Sequence, residues 1–419
     1  MKFNSLKGIH DIYPPDIYVW QWIENMAKDI LRNFGYREIR LPVIEKSEIF
    51  KRSIGETTDI VEKEMYTFSD KGGRSVTLRP EGTASFARAF VQHHLYNEPS
   101  PQKYYYLGPM FRYERPQAFR NRQFYQIGVE ALGTENPQLD AEVMSMLSII
   151  LKKLGLNEIN FEISSIGCKQ CRPGYVIALK KSLKESIKTL CEDCQRRYNS
   201  NPLRILDCKV SSCIEARKKV PAIADHLCDE CDEHFKGVKH NLSLLSVPFV
   251  INHELVRGLD YYTRTAFEVT SESLGSQKAV AAGGRYNSLI KEFGGPDTPG
   301  IGFAIGIERI IPLIKELFTV EQCPDLFICS LGLEAAEKGF VLAEQLRARG
   351  IWVEINYDNS SLRSQMRKAG RINAGKVLII GEDEINNGLA VIKDMHDKKE
   401  DKVRLKANDI LKSLPKNKS

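Results

Sequence analysis

Arginines and carboxylates inside an otherwise apolar strand pair are the first residues in this sequence that could do chemistry. The runs 104–113 (YYYLGPMFRY) and 122–133 (RQFYQIGVEALG) are rich in aromatic and β-branched residues and read as a long hairpin. Side chains alternate along a strand, so Arg112 and Glu114 are expected on one face, and Gln126, Gly128 and Glu130 on one face of the partner. Ionisable groups in such a setting are costly to bury unless they are paired or bind something. The polar connection adds Arg115, Arg120 and Arg122, and the planar guanidinium fork donates two hydrogen bonds at once to an oxyanion. A face of this composition under an arginine-rich flap could hold a phosphorylated, partly cationic ligand. A solvated strand face with internal salt bridges would use the same residues.

Two further segments gather similar chemistry. Leu255-Val-Arg-Gly-Leu-Asp-Tyr-Tyr-Thr-Arg264 combines two arginines, an aspartate and two tyrosines. Gly300-Ile-Gly-Phe-Ala-Ile-Gly-Ile-Glu-Arg309 permits close backbone approach and puts Arg309 in the first turn of a following helix. It is neither a dinucleotide fingerprint nor a P-loop, and two glycine-dependent turns without function would explain it equally well. Eight of the ten cysteines fall in one stretch, as Cys168-x2-Cys171, Cys191-x2-Cys194, Cys208-x4-Cys213 and Cys228-x2-Cys231. C-x2-C pairs suit tetrahedral thiolate ligation, so two four-cysteine zinc sites are one reading. Thiols packed as small apolar residues, or disulfides, are the other, and spacing leaves both open.

The elements that must carry these residues are legible at low resolution. Val19, Ile23, Met26, Ile30 and Phe34 mark a helix over 17–34, followed by a short strand from Tyr36 to Arg40 that closes at Leu41-Pro42. A second helix spans 138–154, strand character is expected from about 245 to 270, and a helix near 307–318. From residue 325 the style changes to a βαβαβ alternation, with strands at 325–331, 351–355 and 376–380 and helices at 334–349 and 360–373. The 419 residues leave room for two or three domains, and 42% apolar against 27% charged residues excludes a disordered or low-complexity chain. No apolar run approaches the roughly 18–20 residues of a membrane span. The segment from Met1 to Asp11 lacks a signal-peptide core, so a soluble, cytoplasmic protein is expected. The net charge of +6 is concentrated in 167–236 and 395–419, which fits a polyanion touched at two places, although on charge alone an ordinary solvated surface is the more common explanation.

Taken together the segments resemble a known family. Phe111-Arg-Tyr-Glu114 with its loop and second strand resembles motif 2 of class II aminoacyl-tRNA synthetases, Gly306-Ile-Glu-Arg309 resembles motif 3, and the segment ending in Leu41-Pro42 resembles motif 1. Leu255-Val-Arg-Gly-Leu-Asp-Tyr-Tyr262 and Ala282-Gly-Gly-Arg-Tyr286 look like the two signatures of histidyl-tRNA synthetases, and Leu78-Arg-Pro-Glu-Gly-Thr83 fits the same family. The resemblance implies an α+β catalytic domain on an antiparallel sheet over 1–166 and 238–322, a cysteine-rich insertion at 167–237 near the tRNA acceptor arm, and an anticodon-binding α/β domain over 325–419. It also implies activation of histidine by ATP with Mg²⁺, transfer to the tRNA, and a homodimer with the motif 1 proline at its interface. Arg112 would hold the α-phosphate and the histidine carboxylate, Arg309 the far phosphates, Glu114 the adenine side and Arg257 the transition-state charge. Arg120 joins the ATP-binding set. Glu81, Thr83 and Gln126 would take the α-amino group, Glu130 and Tyr262 the imidazole, with Gly82 and Tyr261 also in the histidine pocket. Chemistry agrees, because in-line attack of a carboxylate on a polyanion needs fixed cations, and an imidazole needs partners at both nitrogens. Three rivals share some of these features: a catalytically inactive regulatory relative, a sister synthetase for threonine, proline or glycine, and an RNA-binding protein. The Arg-Gly-Leu-Asp-Tyr-Tyr run and the α/β tail argue against the first two, and the Arg112, Arg257 and Arg309 triangle against the third.

Overall fold

Alternation along the strands sorts the main sheet into a dry face and a working face. Ile127, Val129, Ala131, Ile301, Phe303, Ile305, Phe267 and Val269 point one way and are buried against the helices Asp16–Asn33, Pro137–Lys153 and Ile307–Ile314. Gln126, Gly128, Glu130, Gly302, Ala304 and Ala282 point the other way, and the cavity described below opens there. This computed structural model describes residues 3–56, 58–117, 119–274, 278–314 and 323–414. The chain divides into two units, Met1–Thr319 and Val320–Ser419.

In the first unit eight strands form one sheet in the order Arg37–Glu38, Gln102–Phe111, Gln123–Leu132, Gly300–Gly306, Ala279–Arg285, Thr263–Thr270, Asn160–Ser165 and Val250–Ile251. All neighbours are antiparallel except the two edge pairs, which are parallel. The hairpin expected from aromatic content is the longest pair, in register from Gln102↔Leu132 to Phe111↔Gln123. Its first strand ends at Phe111, so Arg112 and Glu114 do not share a strand face; both lie in the loop just beyond. The ladder continues for one bond, from Arg112 N–H to the Arg122 carbonyl (2.8 Å), before the chain turns away.

Two other expectations need revision. Strand character over 245–270 is confined to Val250–Ile251 and Thr263–Thr270. The apolar residues between them, Leu255, Tyr261 and Tyr262, are buried from a loop, which hydrophobicity alone cannot distinguish from a strand. The helix near 307–318 is seen as Ile307–Ile314, and residues 315–318 lie outside the described residues. The cysteine-rich stretch is a set of short helices, Cys171–Leu183, Glu192–Ser200 and Ser211–Arg217, leading into Asp229–Leu244. Leu179, Leu183, Leu190, Cys194 and Ile205 share one apolar core with Leu255, Tyr261, Tyr262 and Tyr286. The insertion and the 255–262 loop therefore share one core.

The second unit has the alternation expected for it. Val353–Ile355, Leu326–Ser330 and Lys376–Ile380 are parallel, with the helices Leu333–Arg347 and Leu362–Arg371 between them. An antiparallel hairpin, Leu389–Asp394 and Glu400–Arg404, extends the sheet and was not foreseen, because the apolar run Leu389-Ala-Val-Ile392 is only four residues long and the strand that pairs with it, Glu400–Arg404, is mostly charged.

Candidate active site

The sheet's working face, the hairpin loop and the 255–262 loop enclose a cavity of ≈ 420 Å³. Every residue that the resemblance assigns to the substrates lines it: Glu81, Gly82, Thr83, Arg112, Glu114, Arg120, Gln126, Glu130, Arg257, Tyr261, Tyr262 and Arg309. Arg115 and Arg122 of the loop do not. Arg122 instead lies over the Tyr113 ring, 4.0 Å from its centroid, and donates to the Glu114 carbonyl at 3.2 Å.

One end of the cavity is cationic. Arg112 Nε donates to the Pro80 carbonyl at 2.9 Å, and its guanidinium sits 5.3 Å from the Phe124 ring centroid. Arg120 pairs with the buried carboxylate of Glu114. Arg309 Nη1 donates to the Ala279 carbonyl at 2.6 Å, and Arg257 Nη1 to Glu268 Oε2 at 2.8 Å. Burial first, then the neighbouring guanidiniums of Arg120 and Arg112, holds Arg309 below the usual arginine range. Arg112 and Arg120 are lowered as well, again chiefly by burial. Guanidiniums brought this close repel one another, and a polyanion between them would relieve the repulsion.

The other end is built from carboxylates and phenols. Glu81 accepts from the Thr83 and Ala84 amides at 2.6 and 2.8 Å and from the Tyr261 hydroxyl at 3.4 Å. Glu130, 1% exposed, takes the Thr83 and Tyr106 hydroxyls on Oε1 (2.7 and 3.0 Å) and the Tyr286 hydroxyl on Oε2. Burial above all holds the Tyr106 and Tyr286 phenols protonated, so both act as donors. Once ionised, a carboxylate offers about four acceptor positions, so three donors leave one for a ligand N–H. Two glycines make the room: a Cβ on Gly302 would meet Glu130 Oε2 at 2.2 Å, and one on Gly128 would meet the Tyr106 ring at 2.2 Å.

Tyr106 and Tyr286 were not singled out from sequence. Tyr106 is the last of three consecutive tyrosines, and only its register opposite Gly128 marks it as the one that faces the site. Tyr286 stood in a quoted signature, next to Arg285, and the two residues part company in the fold. Arg285 is fully buried and pairs with Asp140, also bonding the Thr134 carbonyl at 2.9 Å. Burial opposes ionisation of Asp140, but the Arg285 charge wins and pulls its carboxyl down to about 2. Glu268 and Glu308 also line the cavity. Burial pushes Glu308 up to about 7, against the pull of the Tyr125 amide, which donates to both its oxygens at 3.0 and 3.1 Å.

Burial pushes Glu130 up to about 8, opposed by its three hydroxyl donors. An unfolded glutamate titrates near 4.3, so between the two values the folded chain holds a proton that the unfolded chain has released. Glu130 therefore costs stability progressively as pH rises through that window. The melting temperature of Glu130→Gln minus that of the unmodified chain is expected to widen from about pH 5 to about pH 8 and then level off. A difference independent of pH would show that Glu130 is not held neutral.

The cysteines fall into two groups, Cys168, Cys171, Cys228 and Cys231, and Cys191, Cys194, Cys208 and Cys213. Within each group all sulfurs lie within 4.8 Å of one another.

An antiparallel sheet with a cationic cleft on one face, fed by the hairpin loop and the Gly300–Arg309 segment, is the catalytic core of a class II aminoacyl-tRNA synthetase. A family model described as histidyl-tRNA synthetase matches residues 8–170 and 181–310, and one described as anticodon binding domain matches 325–417. The histidine–tRNA ligase of Thermodesulfovibrio yellowstonii is 50% identical over 398 residues, 95% of each chain, and that of Trichlorobacter lovleyi 49% identical over 414 residues, 99% of each. The apo crystal structure of S. aureus histidyl-tRNA synthetase matches with a TM-score of 0.82 at 36% identity, covering 96% of this chain and 98% of that one. The chain belongs to the histidyl-tRNA synthetase family, and its activity is that of a histidine–tRNA ligase.

Proposed function

We propose that the cavity works as two adjoining half-sites, the arginine end taking ATP and the carboxylate–phenol end taking histidine. The observation that carries this is the segregation of charge within one cavity. Arg112 lies at the junction and bridges the α-phosphate and the histidine carboxylate. Arg257 faces the same junction and meets the charge that develops on the α-phosphate as the carboxylate attacks. Arg309 and Arg120 hold the outer phosphates, and Glu114, through Arg120, borders the adenine side. Glu81, Thr83 and Gln126 receive the α-ammonium group, within the wall that Gly82 and Tyr261 complete. Glu130 spends its remaining acceptor position on one imidazole N–H, and Tyr262 meets the other nitrogen. Mg²⁺ bound with the ATP phosphates would supply further positive charge there; oxygen donors suit it, and Glu268 and Glu308, which line the cavity, are carboxylates that would share it.

Histidyl-adenylate and pyrophosphate are the first products, and the histidyl group then passes to the 3′-terminal ribose of tRNA(His). The catalytic domain comprises 1–166 and 238–322, the insertion 167–237 lies toward the acceptor arm, and 325–419 reads the anticodon end. Basic side chains on the insertion and the tail position the RNA through phosphates without specifying bases. The chain works as a cytoplasmic homodimer, with Leu41-Pro42 at the interface; the part-exposed Ile44 and Phe68 on the small sheet that follows support this. Among the described residues no helix is long and apolar enough to cross a membrane.

Calorimetry on two variants separates the half-sites. Arg309→Ala is expected to weaken ATP binding at least tenfold and leave histidine binding within about twofold, whereas Glu81→Gln does the reverse. Loss of histidine binding in Arg309→Ala with ATP binding retained would invert the assignment.

A further inference from the structure

We infer that the insertion carries two structural zinc ions, each held by four cysteine thiolates, with the outer two cysteine pairs forming one site and the inner two the other. This goes beyond the ligase activity and does not rest on the residue roles proposed above. Zn–S bonds of about 2.3 Å in a tetrahedron place neighbouring sulfurs about 3.8 Å apart. The observed separations are 3.6 Å for Cys168–Cys171, 3.9 Å for Cys168–Cys228 and 3.8 Å for Cys191–Cys208. A disulfide needs about 2.05 Å, and all eight cysteines are free. Thiols that merely filled a core would have no reason to converge four at a time.

The surroundings are those of bound thiolates. Backbone amides point at the sulfurs: Gln170 N–H at Cys168 Sγ (3.3 Å), Cys228 N–H at Cys171 Sγ (3.1 Å) and Cys191 N–H at Cys213 Sγ (3.2 Å). Such donors orient and stabilise ligands around a metal. In each site two or more sulfurs are buried, and four-coordinate thiolate leaves no open position, which makes the ions structural.

Each ion would fasten a different part of the fold. The outer site joins the first and last turns of the insertion. Beside it Arg172 reaches back to the carbonyls of Ile166 and Tyr262. The inner site closes the segment between Cys194 and Cys208, which presses on the catalytic loop. From that segment Arg204 donates to the Arg257 carbonyl at 3.1 Å, and Asn201 to Asp260 at 3.2 Å. The inner ion therefore bears on the placement of Arg257 as well as on the RNA-facing surface.

Elemental analysis of the full chain, purified without chelator and without added metal, is expected to give two zinc per chain. Cobalt substituted for zinc should give intense tetrahedral d–d bands and thiolate-to-cobalt charge transfer from both sites. Double variants test the pairing. Cys171→Ser with Cys231→Ser should lose one zinc, and Cys171→Ser with Cys194→Ser should lose both. Fewer than two zinc on the unmodified chain overturns the inference, and that count does not depend on whether the variants fold. Loss of both ions from Cys171→Ser with Cys231→Ser, in a chain that keeps its secondary structure, overturns the pairing.

Discussion

Arg257→Ala is expected to slow adenylate formation by about 10²–10³ while changing histidine binding far less, because it removes a donor aimed at charge that develops only during reaction. The side chain is held for such a role. Glu268 fixes one end of its guanidinium at 2.8 Å, and the Tyr262 ring lies beneath it, 5.7 Å away. Among the described residues its buried Nε has no hydrogen-bond partner. A buried donor without an acceptor is costly, and an incoming phosphate oxygen would satisfy it. Single-turnover formation of histidyl-adenylate, measured beside equilibrium histidine binding, separates the two effects. Unchanged turnover with only a raised histidine KM would make Arg257 a uniform binding contact.

Glu130→Ala carries the second large effect, on choice of amino acid. It strands the hydroxyls of Thr83, Tyr106 and Tyr286 as well as one imidazole nitrogen. Each unpaired buried group costs about 1–3 kcal/mol. Activity with histidine should fall, and discrimination should fall with it, since rejection by buried polar partners is the strong kind. The ratio of kcat/KM for histidine to that for other amino acids measures this. If the variant discriminates as sharply as the unmodified chain, the imidazole is read elsewhere.

What was legible in the sequence follows from how local each signal is. The hairpin announced itself through ten-residue aromatic and β-branched runs, and the α/β tail through its alternation of apolar periods. The residues that meet in the cavity were recognised from short motifs, although they come from five separate segments. What failed was where one chain property stands for two structures. Arg112 and Glu114 continue the strand pattern but lie past the last strand residue, Phe111. Leu255, Tyr261 and Tyr262 are as buried as strand residues without belonging to a strand. Tyr106 and Tyr286 act through long-range register, which no local pattern reports. The leucines of the cysteine stretch complete the core beside the catalytic loop, a contact that its cysteine spacing does not report. Deleting 168–236 should accordingly damage histidine activation along with transfer to tRNA.

The central claim is that this one cavity activates histidine with ATP, and pyrophosphate exchange tests it without RNA. Each of the twenty amino acids is offered in turn to the full chain with ATP, Mg²⁺ and labelled pyrophosphate. Exchange is expected with histidine alone, and is expected to collapse in Arg112→Ala. Exchange with a different amino acid, or undiminished exchange in Arg112→Ala, would contradict the account.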